Sequence, residues 1–124
     1  LITVSSDYKI PKEIAWDDSY IQDEDGVIVI GESDLDIIKF DLNRTPHVLF
    51  AGETGSGKSV AMRLVFWQMV KKKCKPFMID FKGGVEFGKK YERYGEVITD
   101  RKRALEVLTM LVKENEARLK LFRS

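Results

Sequence analysis

A chain of 124 residues, 44% hydrophobic and 33% charged, has room for one compact core and none for a set of separate catalytic modules. Cys74 is the only cysteine and His47 the only histidine, which excludes an internal disulfide and a structural zinc site of soft ligands and fits a reducing compartment. No apolar run approaches the ~20 residues of a membrane helix, and the amino terminus lacks the basic start and long apolar centre of a signal peptide, so this segment is expected to make no membrane contact.

The net charge of +1 conceals two opposite halves. Residues 1–43 hold 3 lysines against 11 acidic residues, net −8, whereas residues 44–124 hold 18 basic against 9 acidic residues, net +9. The division expected from this is an acidic lead-in with a β-hairpin over 1–43 and a basic α/β core over 44–124. Basic clusters at Lys71-Lys72-Lys73-Lys75, Lys89-Lys90-Arg93 and Arg101-Lys102-Arg103 are either phosphate-contacting patches or solvated helix ends and loops.

The first 26 residues, with Tyr8, Pro11, Trp16, Tyr20 and the run Asp23-Glu24-Asp25-Gly26, show no sustained period and read as irregular. Val27-Ile28-Val29-Ile30 and Ile37-Ile38-Lys39-Phe40 flank a polar turn at Gly31-Glu32-Ser33-Asp34, the pattern of a β-hairpin. After Asn43-Arg44-Thr45-Pro46, the apolar run His47-Val48-Leu49-Phe50-Ala51 reads as a strand buried on both faces. Residues 60–70 are apolar almost all round, interrupted only by Arg63 and Gln68, and predict a buried helix that ends in three lysines. Phe77-Met78-Ile79-Asp80 predicts a second buried strand and Glu96-Val97-Ile98-Thr99 a short third one. Thr99 or Asp100 then caps a long helix with apolar positions at Leu105, Leu108, Leu111, Val112, Leu119 and Phe122. Strands alternating with helices in this order indicate an α/β protein with a parallel sheet.

Between the strand expected at residues 47–51 and the first helix lies Gly52-Glu53-Thr54-Gly55-Ser56-Gly57-Lys58-Ser59, a full match to the phosphate-loop pattern G-x-x-x-x-G-K-[ST]. Glycines there let successive backbone N–H groups turn inward, and the following helix offers its positive end, so a pyrophosphate meets donors with no side chain in the way. The residues expected to bind nucleotide are Gly52, Glu53, Thr54, Gly55, Ser56, Gly57, Lys58 and Ser59. Lys58 is the catalytic candidate, reaching the β- and γ-phosphates, and Ser59 is the Mg²⁺ ligand. Thr54 and Ser56 contribute mainly through their amides. Asp80, at the end of its strand, is the sole candidate for the carboxylate that P-loop hydrolysis also needs. It lies either on the strand adjacent to the loop strand or on an intervening one, and spacing alone does not choose.

The stretch from Pro46 through Val60 resembles the phosphate-loop region of the FtsK/SpoIIIE DNA translocases, which read Pro-His, an apolar strand, then Gly-x-Thr-Gly-Ser-Gly-Lys-Ser. Met78-Ile79-Asp80-Phe81-Lys82-Gly83 is similar to that family's Ile-Asp-x-Lys strand end, and Val97-Ile98-Thr99-Asp100 with its following helix also fits, so the resemblance runs from about Gly26 to Ser124. Phe81 stands where chromosome-partitioning members usually have proline, and Gly83-Gly84-Val85-Glu86-Phe87 is closer to members from conjugative elements or secretion systems. The resemblance implies an incomplete RecA-like P-loop core that binds ATP and Mg²⁺. In it Asp80 sits on the intervening strand, and the acidic catalytic strand would follow Ser124. It further implies a parent protein that hydrolyses ATP to move double-stranded DNA as a homo-hexamer, this part being a cytoplasmic domain of a membrane-anchored protein. A small P-loop phosphotransferase with Asp80 on Mg²⁺, a secretion-system ATPase of the same superfamily, and a module that binds nucleotide only as an assembly cue are the alternatives.

Overall fold

The computed structural model describes residues 14–124; the part of the irregular lead-in that carries Tyr8 and Pro11 lies outside the described residues. The chain divides into two compact units, Leu1–Cys74 and Lys75–Ser124, each with its own small sheet and one helix.

In the first unit the expected hairpin forms. Strands β1 (Val27–Glu32) and β2 (Ile37–Asp41) pair antiparallel, from Val27 opposite Asp41 to Glu32 opposite Ile37, with a register shift between Val29 and Gly31. The turn is fixed by Ser33, whose backbone N–H donates to the Asp36 carbonyl at 2.8 Å while its hydroxyl accepts from the Asp36 amide at 3.1 Å. Helix α1 (Lys58–Lys71) follows the glycine loop. Its apolar circumference suggested burial throughout, yet among its residues only Phe66 and Gln68 are fully buried and Val60 stays 67% exposed. One helix face suffices to cover a two-stranded ribbon, which leaves most of the remaining circumference half-buried or exposed.

The core of this unit contains a polar side chain. Gln68 is wholly inaccessible, as is Ile28, and Val29 is nearly so. The Gln68 side-chain oxygen accepts from the Val29 amide at 2.8 Å, and its side-chain nitrogen donates to the Val29 carbonyl at 2.7 Å and to the Leu64 carbonyl at 3.2 Å. A carboxamide has the donor and acceptor of a peptide group, so Gln68 pairs with β1 as one residue of a neighbouring strand would. By local pattern alone Gln68 reads as a mere interruption of an apolar helix.

The end of α1 is closed in two ways. Its last carbonyls are satisfied by a Schellman arrangement, with Cys74 N–H donating to Met69 O and Lys73 N–H to Val70 O, both at 3.0 Å. Lys73 therefore takes a left-handed conformation, φ 62°, at the position where glycine is usual. The acidic lead-in then folds onto the same end. Lys72 Nζ donates to the Gln22 carbonyl at 2.8 Å and to the Glu24 carbonyl, and Trp67 Nε1 donates to Asp18 Oδ1 at 2.8 Å. The indole donors of Trp67 and Trp16 hold the Asp18 carboxyl below the usual carboxylate range.

The second unit is a parallel pair, β3 (Phe77–Ile79) with β4 (Glu96–Ile98), in the register Phe77–Glu96, Met78–Val97, Ile79–Ile98. The connection between them passes a close approach at Gly95, where any side chain would collide with the Pro76 carbonyl. Helix α2 (Arg101–Arg123) is capped by Asp100, whose carboxylate accepts from the Lys102 and Arg103 amides at 3.2 and 2.8 Å. Arg103 grips Glu96 through two bonds of 2.6 and 2.9 Å, which holds the Glu96 carboxyl below its ordinary range.

Two expectations are corrected. Residues 47–51, the apolar run read as a doubly buried strand, form no strand; Leu49 is 88% and Val48 44% exposed. A parallel strand is held by ladder bonds to its neighbours, and among the described residues no strand pairs with this run. The apolar stripe read on α2 is also not the buried one. Ala104 and Val107 pack with Ile98 and Phe77, while Leu105, Leu108 and Phe122 are exposed. Strands of three residues cover only the first turns of a helix of 23 residues. Among the described residues no helix is long and apolar enough to cross a membrane.

Replacing Gln68 by Leu removes both partners of Val29 and is expected to lower the stability of the protein by about 2–4 kcal/mol in denaturant titrations. Replacing Lys73 by Gly relieves the left-handed strain and is expected to raise it by about 0.5–1 kcal/mol, measured the same way.

Candidate nucleotide site

The glycine loop enters its turn at Glu53. The Ser56 amide donates to the Glu53 carbonyl at 3.1 Å, and Gly55, third residue of that turn, has φ 83°, the left-handed value a type II turn demands there. Gly57, the residue before α1, is again left-handed, φ 90° and ψ 5°. Two non-adjacent left-handed glycines bend the backbone back on itself over residues that have no other way to make the turn. The Ser56 side chain lies over Gly52, so closely that a side chain at Gly52 would strike it.

Helix α1 begins unlike α2. Gly57 supplies no side-chain cap, and the first intrahelical bond is from Ala61 N–H to Gly57 O at 2.9 Å. The amides of Lys58, Ser59 and Val60 thus precede the first intrahelical donor and point out of the helix start, at the positive end of its dipole. Residues 52–57 are exposed, and Lys58 and Ser59 are half-buried. The eight expected site residues are contiguous, six of them in an exposed loop, and Lys58 and Ser59 open the first turn of the helix.

Asp80 is engaged elsewhere. Its carboxylate is buried and accepts three backbone N–H groups: Lys82 at 3.0 Å, Glu86 at 2.9 Å and Phe87 at 3.2 Å. Its own amide donates to the Ile98 carbonyl at 2.8 Å, adding a rung beyond β3. Gly83 and Gly84, φ 73° and 80°, let the chain wrap around this carboxylate. Burial pushes the Asp80 pKa up, but the backbone hydrogen bonds outweigh it and hold the group below the usual carboxylate range. Both oxygens serve the 82–87 loop, which gives Asp80 a structural role. Among the described residues no three His, Cys, Asp or Glu side chains gather as a metal site.

His47 is exposed before the loop and Cys74 is exposed after α1. Trp16 and Tyr20 stack on one another with centroids 5.5 Å apart. Sequence reading missed Gln68 and Asp18 as organising residues. The available signal for Gln68 was a single carboxamide inside a largely apolar helix segment; nothing local in the sequence set Asp18 apart from the adjacent Asp17.

The elements and the loop together are those of an α/β protein carrying a complete phosphate-loop motif. The FtsK/SpoIIIE family model matches residues 13–124, and the chain belongs to that family. The DNA translocase FtsK of Bradyrhizobium diazoefficiens is 39% identical over 96 residues, covering 68% of this chain and 11% of its own length. The DNA translocase SftA of Bacillus subtilis is 38% identical over 92 residues, covering 68% of this chain and 10% of its own. The chain thus spans about a tenth of the length of these curated relatives. A solved structure of the pCW3 conjugation coupling protein TcpA, in monomer form with ATPγS, is 53% identical, with a TM-score of 0.89 over 93% of this chain and 32% of that one.

Because the Asp80 pKa is lowered in the folded state, its contribution to stability is complete above the ordinary carboxylate pKa and is lost as pH falls through the lowered one. Asp80→Asn is expected to lower stability at neutral pH and to flatten the loss of stability below pH ~4, followed by thermal melts across acidic pH.

Proposed function

We propose that this chain is the ATP-binding part of a DNA-translocating ATPase, the beginning of a RecA-like P-loop core over residues 44–124 behind an acidic lead-in and hairpin over residues 1–43. The observation that carries the reading is the uncapped start of α1 behind two left-handed glycines. A protein that wanted only a stable helix gains about 1 kcal/mol from a Ser, Asp or Asn cap, as α2 has in Asp100. Here the amides are left for a ligand.

In this reading the amides of residues 53–59 wrap the β-phosphate, Lys58 sets its ammonium against the β- and γ-oxygens as the catalytic cation, and the Ser59 hydroxyl ligates Mg²⁺. The donor set suits that metal: Mg²⁺ keeps several waters and takes few protein ligands when phosphates supply the rest. When bound, the ion offsets the charge that develops on the transferring phosphoryl group. That TcpA was solved with ATPγS supports ATP as the ligand.

The polymer moved is double-stranded DNA, and the assembly a homo-hexamer of the whole protein. Support comes from the FtsK, SftA and SpoIIIE relatives, each a DNA translocase, and from the +9 balance of residues 44–124. Among the family's tasks, conjugative transfer is favoured over chromosome partition. Identity to the conjugation coupling protein is 53%, against 37–42% for the translocases, and the Asp80 carboxylate folds the Gly83-Gly84 loop that the resemblance ties to conjugative members.

Lys58→Ala is expected to weaken Mg²⁺-ATP binding at least about 100-fold, the order of a lost charge-assisted contact to phosphate, with the fold intact by circular dichroism. Unchanged affinity by calorimetry would refute the assignment.

A further inference from the structure

Three clusters of basic side chains stand out in residues 44–124, and the structure uses them differently. In the first, Lys72 donates to the Gln22 and Glu24 carbonyls, and Lys71 lies 3.6 Å from the Asp18 carboxylate. In the third, Arg103 is gripped by Glu96 and Glu106. These cations are matched within the protein and have little left to offer a partner. None of the ion pairs among the described residues takes in Lys89, Lys90 or Arg93 of the second cluster, and all three residues are exposed.

What holds this cluster is aromatic. Lys90 Nζ lies 5.3 Å from the centre of the Tyr91 ring, and the Arg93 guanidinium carbon lies 4.7 Å from that of Tyr94. A ring face attracts a cation through its quadrupole, so the N–H donors stay available, and a stacked guanidinium keeps its edge for a bidentate acceptor such as phosphate. The rings are themselves anchored. Tyr91 meets the buried Phe87 edge-on with centroids 5.2 Å apart, and the Phe87 amide donates to the Asp80 carboxylate at 3.2 Å. The short 3₁₀ turn Lys89–Tyr91 is closed by Tyr91 N–H to Gly88 O at 2.9 Å, and Tyr94 N–H bonds Tyr91 O at 2.9 Å. Lys90 and Arg93, three residues apart, lie on the same side of this tight path. The cations are thus presented on a fixed support, which lowers the entropy lost when they meet a partner.

We propose that the Lys89–Arg93 turn is a contact surface for the phosphate backbone of duplex DNA, an inference that rests on the DNA reading above. Within the turn three basic residues stand against one acid, Glu92, the sign that a polyanion requires. Duplex rather than unpaired DNA follows from the tyrosines. Both are half-buried and each already has a cation on its face, so neither offers an open ring to a splayed base. Contact to phosphates alone carries no sequence information, which suits a surface past which a polymer moves.

The test is fluorescence anisotropy of the intact protein with a labelled duplex of mixed sequence, titrated over a range of salt. Lys90→Gln combined with Arg93→Gln is expected to weaken binding at least about tenfold at low salt and to reduce the slope of log K against log salt by about 1.8, the loss of two phosphate contacts. Arg93→Lys keeps the charge and is expected to keep the wild-type slope; Arg93→Gln alone, expected to lower it by about 0.9, gives the same reading should the double variant fail to fold. Arg118→Gln combined with Lys120→Gln removes the same charge from α2 and is expected to change affinity by less than about twofold. Equal losses in the two double variants would mean that binding follows net charge, and the assignment to the turn would fall. If the wild type binds duplex and the Lys90/Arg93 variant binds it as tightly, the contact lies elsewhere and the DNA reading stands. If the wild type binds no duplex, the DNA reading falls and takes this one with it; binding only to vesicles of phosphatidylserine and phosphatidylcholine in equal parts would make the turn a membrane surface instead.

Discussion

The side-chain amide of Gln68 is the joint on which the amino-terminal unit depends. A two-stranded ribbon has two unpaired edges, and at Val29 both backbone groups of β1 would be buried without partners. A third strand would satisfy the whole edge; Gln68 satisfies one residue of it and lets a helix lie where the strand would be. Because Gln68 also bonds the Leu64 carbonyl one turn back, the ribbon is fastened to a fixed point on α1. The direction in which that helix starts, and so the direction its free amides face, follows from this attachment rather than from the exposed loop itself.

Carboxylates elsewhere in the chain show by contrast what is unusual at the start of α1. Asp100 satisfies the first amides of α2, Asp80 satisfies three amides of the 82–87 loop, and Asp18 takes the indole protons of Trp16 and Trp67. In each case a backbone or indole donor is matched by an acid a few residues away or by one brought in by packing. At Lys58–Val60 the donors have the same need, and the residue in the capping position is a glycine with nothing to offer. Of the two long helices, α1 is the one that starts without a side-chain acceptor, and the phosphate-loop proposal rests on that difference.

Much of this was legible in the sequence, for identifiable reasons. The hairpin was signalled by two short apolar runs about a polar, glycine-containing turn, although Gly31 and Glu32 of that turn belong to β1; β3 and β4 were signalled by short β-rich runs bounded by Pro76 and Asp100, and the glycine loop by a motif whose Gly55 and Gly57 are left-handed. What could not be read was whatever depends on neighbours. The run at residues 47–51 has strand composition, but composition does not supply a pairing partner. The stripe on α2 has helical period, but period does not say which stripe a three-residue strand will cover. Gln68 looked like a fault in an apolar helix because its partner, a strand edge 39 positions away, is invisible to local pattern.

The unformed strand before the loop does not weaken the phosphate assignment, since the two rest on different interactions. Ladder bonds to neighbouring strands would stiffen the approach to Gly52 and bury Val48 and Leu49. They would add no donor to the site. The donors are set by the Glu53–Ser56 turn, by the left-handed glycines at 55 and 57, and by the first turn of α1, all of them local and all in place without the strand. Anion recognition by main-chain amides asks for this local geometry and a helix held still behind it, and Gln68 supplies the second requirement from the far side of the helix.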